Sequence, residues 1–383
     1  MDTDIYVCSK PLQYFNIRNI GWTPGESRRV LAILGFFVNA QTFYQRVKAL
    51  DQTWNEVLYF ETQYAFDRYL FLHPARRLFV EVDKSFVYGI FGQLRRFREM
   101  YMFEEGFGSY RRDRFDDSQG LKRWINRCTG VGKHVGFSSF LTGQYLYLPD
   151  LYRQQFPAYD KKLLSFEKPF LAHLREELPY FLKLSDGYET FLSLKEKRIA
   201  IYLTSHLINE HILHQIKQDK DAFDLVYVKP HPHIRDFRAF ESSGVAVIHS
   251  NLMLEFLLML LLENGNHLTL YHENSTAVIW FQHEVESRNM GESFKEYDIV
   301  ASYIRSHQEG SFFAGHPCRL VQGFPANPCR TLQACAAVAF NPAWHVLGEI
   351  SHVLWAMSDI FQEKTVFFPY FSVSLREISV ELK

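Results

Sequence analysis

The sequence is short of cysteine, has no long hydrophobic run and carries almost no net charge. Each lack excludes something. Five cysteines in 383 residues, at Cys8, Cys128, Cys318, Cys329 and Cys335, are odd in number and form no Cys-x-x-Cys pair. That argues against a disulfide framework and for a reducing compartment. Cys318, Cys329 and Cys335 with His316 match no common zinc spacing, so these are read as ordinary thiols. The most apolar run, 252–262, is interrupted by Glu255 and is well short of the roughly 20 residues that cross a bilayer. The opening Met1-Asp2-Thr3-Asp4 has neither the basic nor the long apolar region of a signal peptide. The expectation is a cytoplasmic protein, soluble or peripheral on the inner face of the membrane. Lys and Arg number 42 against 43 Asp and Glu, a net charge of −1; a general nucleic-acid binder is normally basic, so no nucleic-acid partner is expected.

What is present is length and rings. A chain of this length makes about two domains. Phe 35, Tyr 21 and Trp 6 bring aromatic content to 16%, which suits a large core, an amphipathic surface or a sugar-binding cleft. Short β-type runs at 5–8, 30–37, 57–60, 78–82 and 100–103 alternate with helical spacing at 41–50, 66–72 and 90–97. The stretch 161–184 reads as helical around Pro169 and Pro179, without a strand signal. Alternation then restarts: strands at 198–203, 225–228, 245–248 and 267–271, helices at 209–217 and 252–262. Strand–helix alternation implies parallel sheets covered on both faces. Two such halves predict an α/β fold of two Rossmann-like domains facing a cleft, with ligands at the carboxyl ends of the strands. The expected division is 1–160, a helical linker 161–190, a second domain 191–345 and a C-terminal segment 346–383. Past about residue 305 the pattern loosens, and 366–382 is apolar and β-like.

Several familiar motifs fail. Gly130-Val131-Gly132-Lys133 has Arg127 where a P-loop needs glycine and His134 where it needs Ser or Thr. His283-Glu284 lacks the second histidine of a zincin helix. Asp219-Lys220-Asp221 resembles a metal clamp but lies in a charged run before a strand, as a solvated turn does. Three segments stand at predicted strand ends. Glu104-Glu105-Gly106 offers two repelling carboxylates, one of which burial can tune toward a base, before a glycine that lets the chain turn near a ligand. An acidic pair at a surface turn is equally consistent. Lys229-Pro230-His231-Pro232-His233 holds an imidazole on a stiff loop, suited to a phosphate or leaving group; a metal and a plain stiffened turn are its other readings. Ser275-Thr276 opens a helix, as an N-cap and as a phosphate site both do.

In this order the motifs resemble those of the bacterial lipooligosaccharide sialyltransferases and polysialyltransferases, over roughly 4–280. The family's acidic-acidic-Gly motif is matched by Glu104-Glu105-Gly106, its His-Pro by His231-Pro232 and its paired Ser/Thr by Ser275-Thr276. Glu255 matches the glutamate that holds the cytidine ribose, and Ser9-Lys10-Pro11-Leu12-Gln13 is similar to the loop after the first strand, with Lys10 at a position usually small. The resemblance implies a GT-B fold, a CMP-sialic acid donor, a glycan acceptor and metal-independent inverting transfer onto a bacterial surface glycan, without cofactor. In that reading Glu105 is the base and Glu104 second choice. His231, Ser275 and Thr276 hold the departing phosphate, Glu255 the ribose, and Lys229, Gly106 and Pro232 complete the donor site. Ser9 and Gln13 form a substrate loop. It also implies a C-terminal helix packed back on the first domain. The nearest alternative is a CMP-Kdo or other nucleotide-sugar glycosyltransferase of surface polysaccharide assembly; an alternative of another class is a non-catalytic glycan-assembly module. Basic and aromatic residues interleave at 94–98 and 110–114, suiting anionic lipid or a polyanionic glycan, or a solvated face. Phe103, Phe107 and Tyr110 bracket the acid pair and are read as candidate cleft lining. Acceptor, linkage and oligomeric state stay open.

Overall fold

The computed structural model describes residues 2–307 except 24, 113–118, 205–209, 231–239, 241–244 and 292–293. His231, Pro232, His316, three of the cysteines and the β-like segment 366–382 lie outside the described residues.

The first seven strands are β1 (Thr3–Cys8), β2 (Arg28–Leu34), β3 (Glu56–Phe60), β4 (Ala75–Val80), β5 (Phe97–Phe103), β6 (Gly143–Leu146) and β7 (Lys162–Ser165). They form one sheet in the order β3-β2-β1-β4-β5-β6-β7, and every pairing is parallel. Parallel strands are buried on both faces and so read as near-continuous apolar runs. β1 shows this: Ile5, Tyr6, Val7 and Cys8 are all buried. The next five strands, β8 (Arg198–Leu203), β9 (Leu225–Lys229), β10 (Ala246–Val247), β11 (His267–His272) and β12 (Glu286–Asn289), form a second sheet in the order β10-β9-β8-β11-β12, also parallel throughout. The chain is thus an α/β protein with two Rossmann-like domains.

The helix Phe170–Leu184 runs between the two sheets in sequence and packs on both halves. Phe181 stacks on Phe256 (4.3 Å), Phe15 meets Phe170 edge-on (5.5 Å), and Arg175 Nε pairs with Glu263 at 3.0 Å. Arg18 joins the same helix to the first domain: Nε to Glu177 Oε2 is 2.7 Å and Nη1 to Asp51 Oδ2 is 2.5 Å.

Several expectations are corrected. The helix expected at 90–97 stops at Gln93; Arg95 turns into the left-handed region at φ 53° and the chain enters β5 at Phe97. The interval 161–184 does hold a strand, β7, whose four residues at the sheet edge are too few to show a pattern. β6 and β12, also of four residues, show no pattern in the sequence for the same reason. The basic-aromatic run 94–98 is divided: Arg95 and Arg98 are exposed, whereas Phe97 is buried and Arg96 lies over Phe71 at 5.2 Å. Phe103, Phe107 and Tyr110 are buried too, so these rings are core before they are lining. Gly130-Val131-Gly132 is the end of a helix: Gly130 has φ 79°, and its N–H and that of Val131 bond back to Arg127 and Asn126. Of the two cysteines among the described residues, Cys8 is buried and Cys128 exposed, and both are free. Among the described residues no helix is long and apolar enough to cross a membrane.

Candidate functional site

In each sheet the strand order reverses beside its first strand, between β1 and β4 and between β8 and β11. Doubly wound sheets bind ligands at the carboxyl ends of strands at such switch points. β1 ends there at Cys8 and is followed by Ser9 and Lys10, and Pro11 opens the next helix, Pro11–Arg18. Proline suits that first helical position because its missing N–H would be unpaired anyway. Ser9 Oγ donates to Glu81 Oε1 at 3.0 Å, just past the end of β4. Gln13 is buried, and its amide oxygen accepts from the Ser9 N–H, so it shapes this turn from inside.

The acid pair divides into two unlike groups. Glu104 is buried; its carboxyl accepts from the Tyr110 hydroxyl and from the Tyr147 N–H at 2.8 Å. Burial pushes its pKa up to about 8, against the pull of those two donors. Asn16 Nδ2 donates to the Glu104 carbonyl at 2.7 Å, fixing the motif's backbone to the helix after β1. Glu105 is partly exposed and forms an ion pair with Lys10. The lysine at a position expected to be small therefore neutralises the acid expected to be the base. Glu81 is the residue sequence reading missed. Burial raises its pKa and the nearby Glu105 charge adds to the rise, while the Ser9 hydroxyl and Lys10 oppose it. Two carboxyl groups, Glu81 and Glu105, thus gather with the Lys10 ammonium at the ends of β4 and β5, while the Glu104 carboxyl turns to Tyr110 and Tyr147. The available signal was an acid ending the apolar run of β4, next to the switch point.

In the second domain β11 ends at His272, and Asn274, at φ 54°, turns the chain into Ser275 and the short helix Thr276–Trp280. His272 is buried, and burial pulls its pKa down to about 4, keeping the ring neutral. Its Nδ1 accepts from the Ser275 N–H at 3.3 Å, which leaves Nε2 to donate to Ser287 Oγ at 2.7 Å. The Ser275 side chain makes no capping bond to the helix, so the N-cap reading of that hydroxyl is not what the geometry shows. Lys229 ends β9, and its ammonium donates to the Ser250 and Leu252 carbonyls at 2.5 and 3.3 Å. Burial lowers its pKa to about 8, opposed by Glu255. Glu255 opens the helix Leu254–Glu263; burial raises its pKa and Lys229 draws it down. Asp219, of the clamp-like pair, is taken up by Tyr271 (2.7 Å) and Arg288 (2.8 Å).

The two strand-end groups meet at Gly106 and Thr276. Gly106 has φ 75°, and a β-carbon there would fall 2.7 Å from Thr276 Cγ2 and 3.7 Å from its Oγ1. Only glycine meets both demands without strain. Beside this contact Phe107 packs edge-on to Tyr297 (5.5 Å) and Tyr147 to Trp280 (5.6 Å). Glu104, Glu105 and Gly106 are thereby brought to the turn that carries Ser275 and Thr276. Lys229 and Glu255 act on each other electrostatically at the end of β9.

Solved structures of similar fold include UDP-N-acetylglucosamine 2-epimerase from Rickettsia bellii, at 15% identity and TM-score 0.47 over 76% of this chain and 80% of that one. Another is Methanocaldococcus jannaschii UDP-GlcNAc 2-epimerase in complex with UDP-GlcNAc and UDP, at 12% identity and TM-score 0.48 over 81% of this chain and 94% of that one. No protein-family model and no curated protein matches the sequence. The sialyltransferase expectation is corrected accordingly: the similar structures are UDP-sugar epimerases, and the CMP-sialic acid donor, the transferase activity and the glycan acceptor go with the resemblance that implied them. There is a physical reason for the error. Acid and glycine at a strand end, and Ser-Thr before a helix, are what any doubly wound domain places at its ligand edge. Such two- and three-residue motifs track the fold and do not specify the nucleotide.

Proposed function

We propose that the chain is an enzyme acting on a nucleotide-activated sugar held between its two domains. The observation that carries this reading is the Gly106–Thr276 approach, because it sets the acid pair at the end of β5 beside the Ser-Thr turn at the end of β11. In this reading the first domain supplies acid–base chemistry and the second holds the nucleotide. Glu105, ion-paired with Lys10, removes a proton. Glu104, with its pKa near neutrality, stores or returns one. Ser275 and Thr276 offer hydroxyls to phosphate oxygens, and Lys229, Glu255, His231 and Pro232 complete the nucleotide side. The reading calls for no metal.

The test is turnover of a panel of nucleotide sugars, beginning with UDP-N-acetylglucosamine, followed by proton NMR of the sugar ring and chromatography of the nucleotide. Loss of the starting sugar nucleotide is expected with at least one compound. Glu105→Gln should abolish it while nucleotide still binds, and His231→Ala should slow it by about 10²–10⁴-fold if that imidazole transfers a proton. Nucleotide binding without turnover of any panel member would instead make the chain a binding module.

A further inference from the structure

The helix Gly120–Thr129 shows its faces in reverse. Leu121, Trp124 and Cys128 fall on one side by helical spacing, and that side is turned to solvent, with Leu121 61% and Trp124 59% exposed. The helix's one buried residue is polar, Asn126. A surface helix normally does the opposite, hiding its apolar stripe. Lys122, Arg123 and Arg127 flank the stripe, all exposed, and the helix has no acidic residue. Across 111–133 the sequence has seven basic residues against three acidic ones. The positive rim continues past the helix end: Arg98 shares a shallow hollow with Gln93 and Thr129, and Gln93 Nε2 donates to the Cys128 carbonyl at 3.1 Å.

We propose that this face docks on an anionic phospholipid surface, with Leu121 and Trp124 entering the interface and the flanking cations meeting the headgroups. An apolar stripe containing tryptophan between cationic flanks is the pattern of interfacial helices. The charge argues against the other occupants. A second copy seated on the same face would oppose its own positive rim, and a nucleic acid would leave Leu121 uncovered against polar backbone. The proposal does not depend on the nucleotide-sugar reading.

The experiment is co-sedimentation of the full chain with phosphatidylcholine vesicles, with and without phosphatidylglycerol, at about 0.05 M and about 0.5 M salt. The wild type should pellet only with phosphatidylglycerol, less at high salt. Leu121→Ser/Trp124→Ser and Lys122→Gln/Arg123→Gln/Arg127→Gln should each weaken binding at least about tenfold. Both should melt where the wild type does, because the changed side chains are exposed. Equal binding by both variants, or no pelleting of the wild type with any vesicle, would overturn the proposal. So would vesicle-free self-association that Trp124→Ser abolishes, since it would assign the face to a second copy.

Discussion

Glu104 and Glu105 are neighbours in sequence and opposites in chemistry, because one is enclosed and the other paired with a cation. A carboxyl whose pKa is raised on folding favours the native state while it keeps its proton. For Glu104 that contribution is complete below its ordinary value near 4.5 and is lost as pH rises through about 8. Glu104→Gln carries no such proton and keeps an oxygen for Tyr110 and Tyr147. Its melting temperature should therefore fall less than that of the wild type between about pH 5 and pH 8, with roughly 2–4 °C for each kcal/mol of relief. Parallel curves in a thermal scan across pH would show that Glu104 is already ionised in the native protein. Gly106 gives a second prediction at this scale. Gly106→Ala should cost roughly 1–3 kcal/mol from a left-handed backbone and a clash with Thr276. Adding Thr276→Ser removes Cγ2, so a double-mutant cycle of denaturant unfolding should recover the clash and leave the backbone share.

Among the elements, the helix Phe170–Leu184 is the piece on which both sheets lean, and Arg18 is its main polar tie to the first domain. Burial works against the Asp51 carboxylate, but the Arg18 charge and hydrogen bonds from Tyr14 and Thr53 outweigh it and hold its pKa below the ordinary value. The sign is the reverse of that at Glu104. This stability is present above the ordinary carboxylate range and is lost as pH falls through the native value. Arg18→Ala should destabilise the protein by about 3 kcal/mol, because it leaves Asp51 buried without its cation. Its acid transition should begin at higher pH than that of the wild type, as circular dichroism during acid titration would show. The elements themselves were unevenly legible. β1, β8 and β11 announce themselves as apolar runs because they are central strands covered on both faces. β6, β7 and β12 have four residues each, and a two-residue period cannot be recognised over so short a stretch.

For the whole molecule, a nucleotide held across both switch points should brace the two domains against each other. At about 100-fold excess over its dissociation constant it adds about 2.7 kcal/mol, which differential scanning fluorimetry would register as a rise of several degrees. Replacing Gly106 with a branched residue should reduce that rise by holding the domains apart; an undiminished rise would place the nucleotide elsewhere. The sequence by itself determined the fold class, because strand–helix alternation repeated on either side of a helical stretch has few other solutions. It also determined that Glu104-Glu105-Gly106 and Ser275-Thr276 lie at strand ends, since periodicity locates ends. Only the tertiary structure decided which strand ends adjoin, bringing Glu81 and Lys10 to the acid pair across the reversal of strand order. It alone separated a buried Glu104 from an ion-paired Glu105, and turned Leu121 and Trp124 outward where an apolar stripe is expected to face in. Solvent exclusion and charge pairing depend on neighbours distant in sequence, and a local pattern contains no record of them.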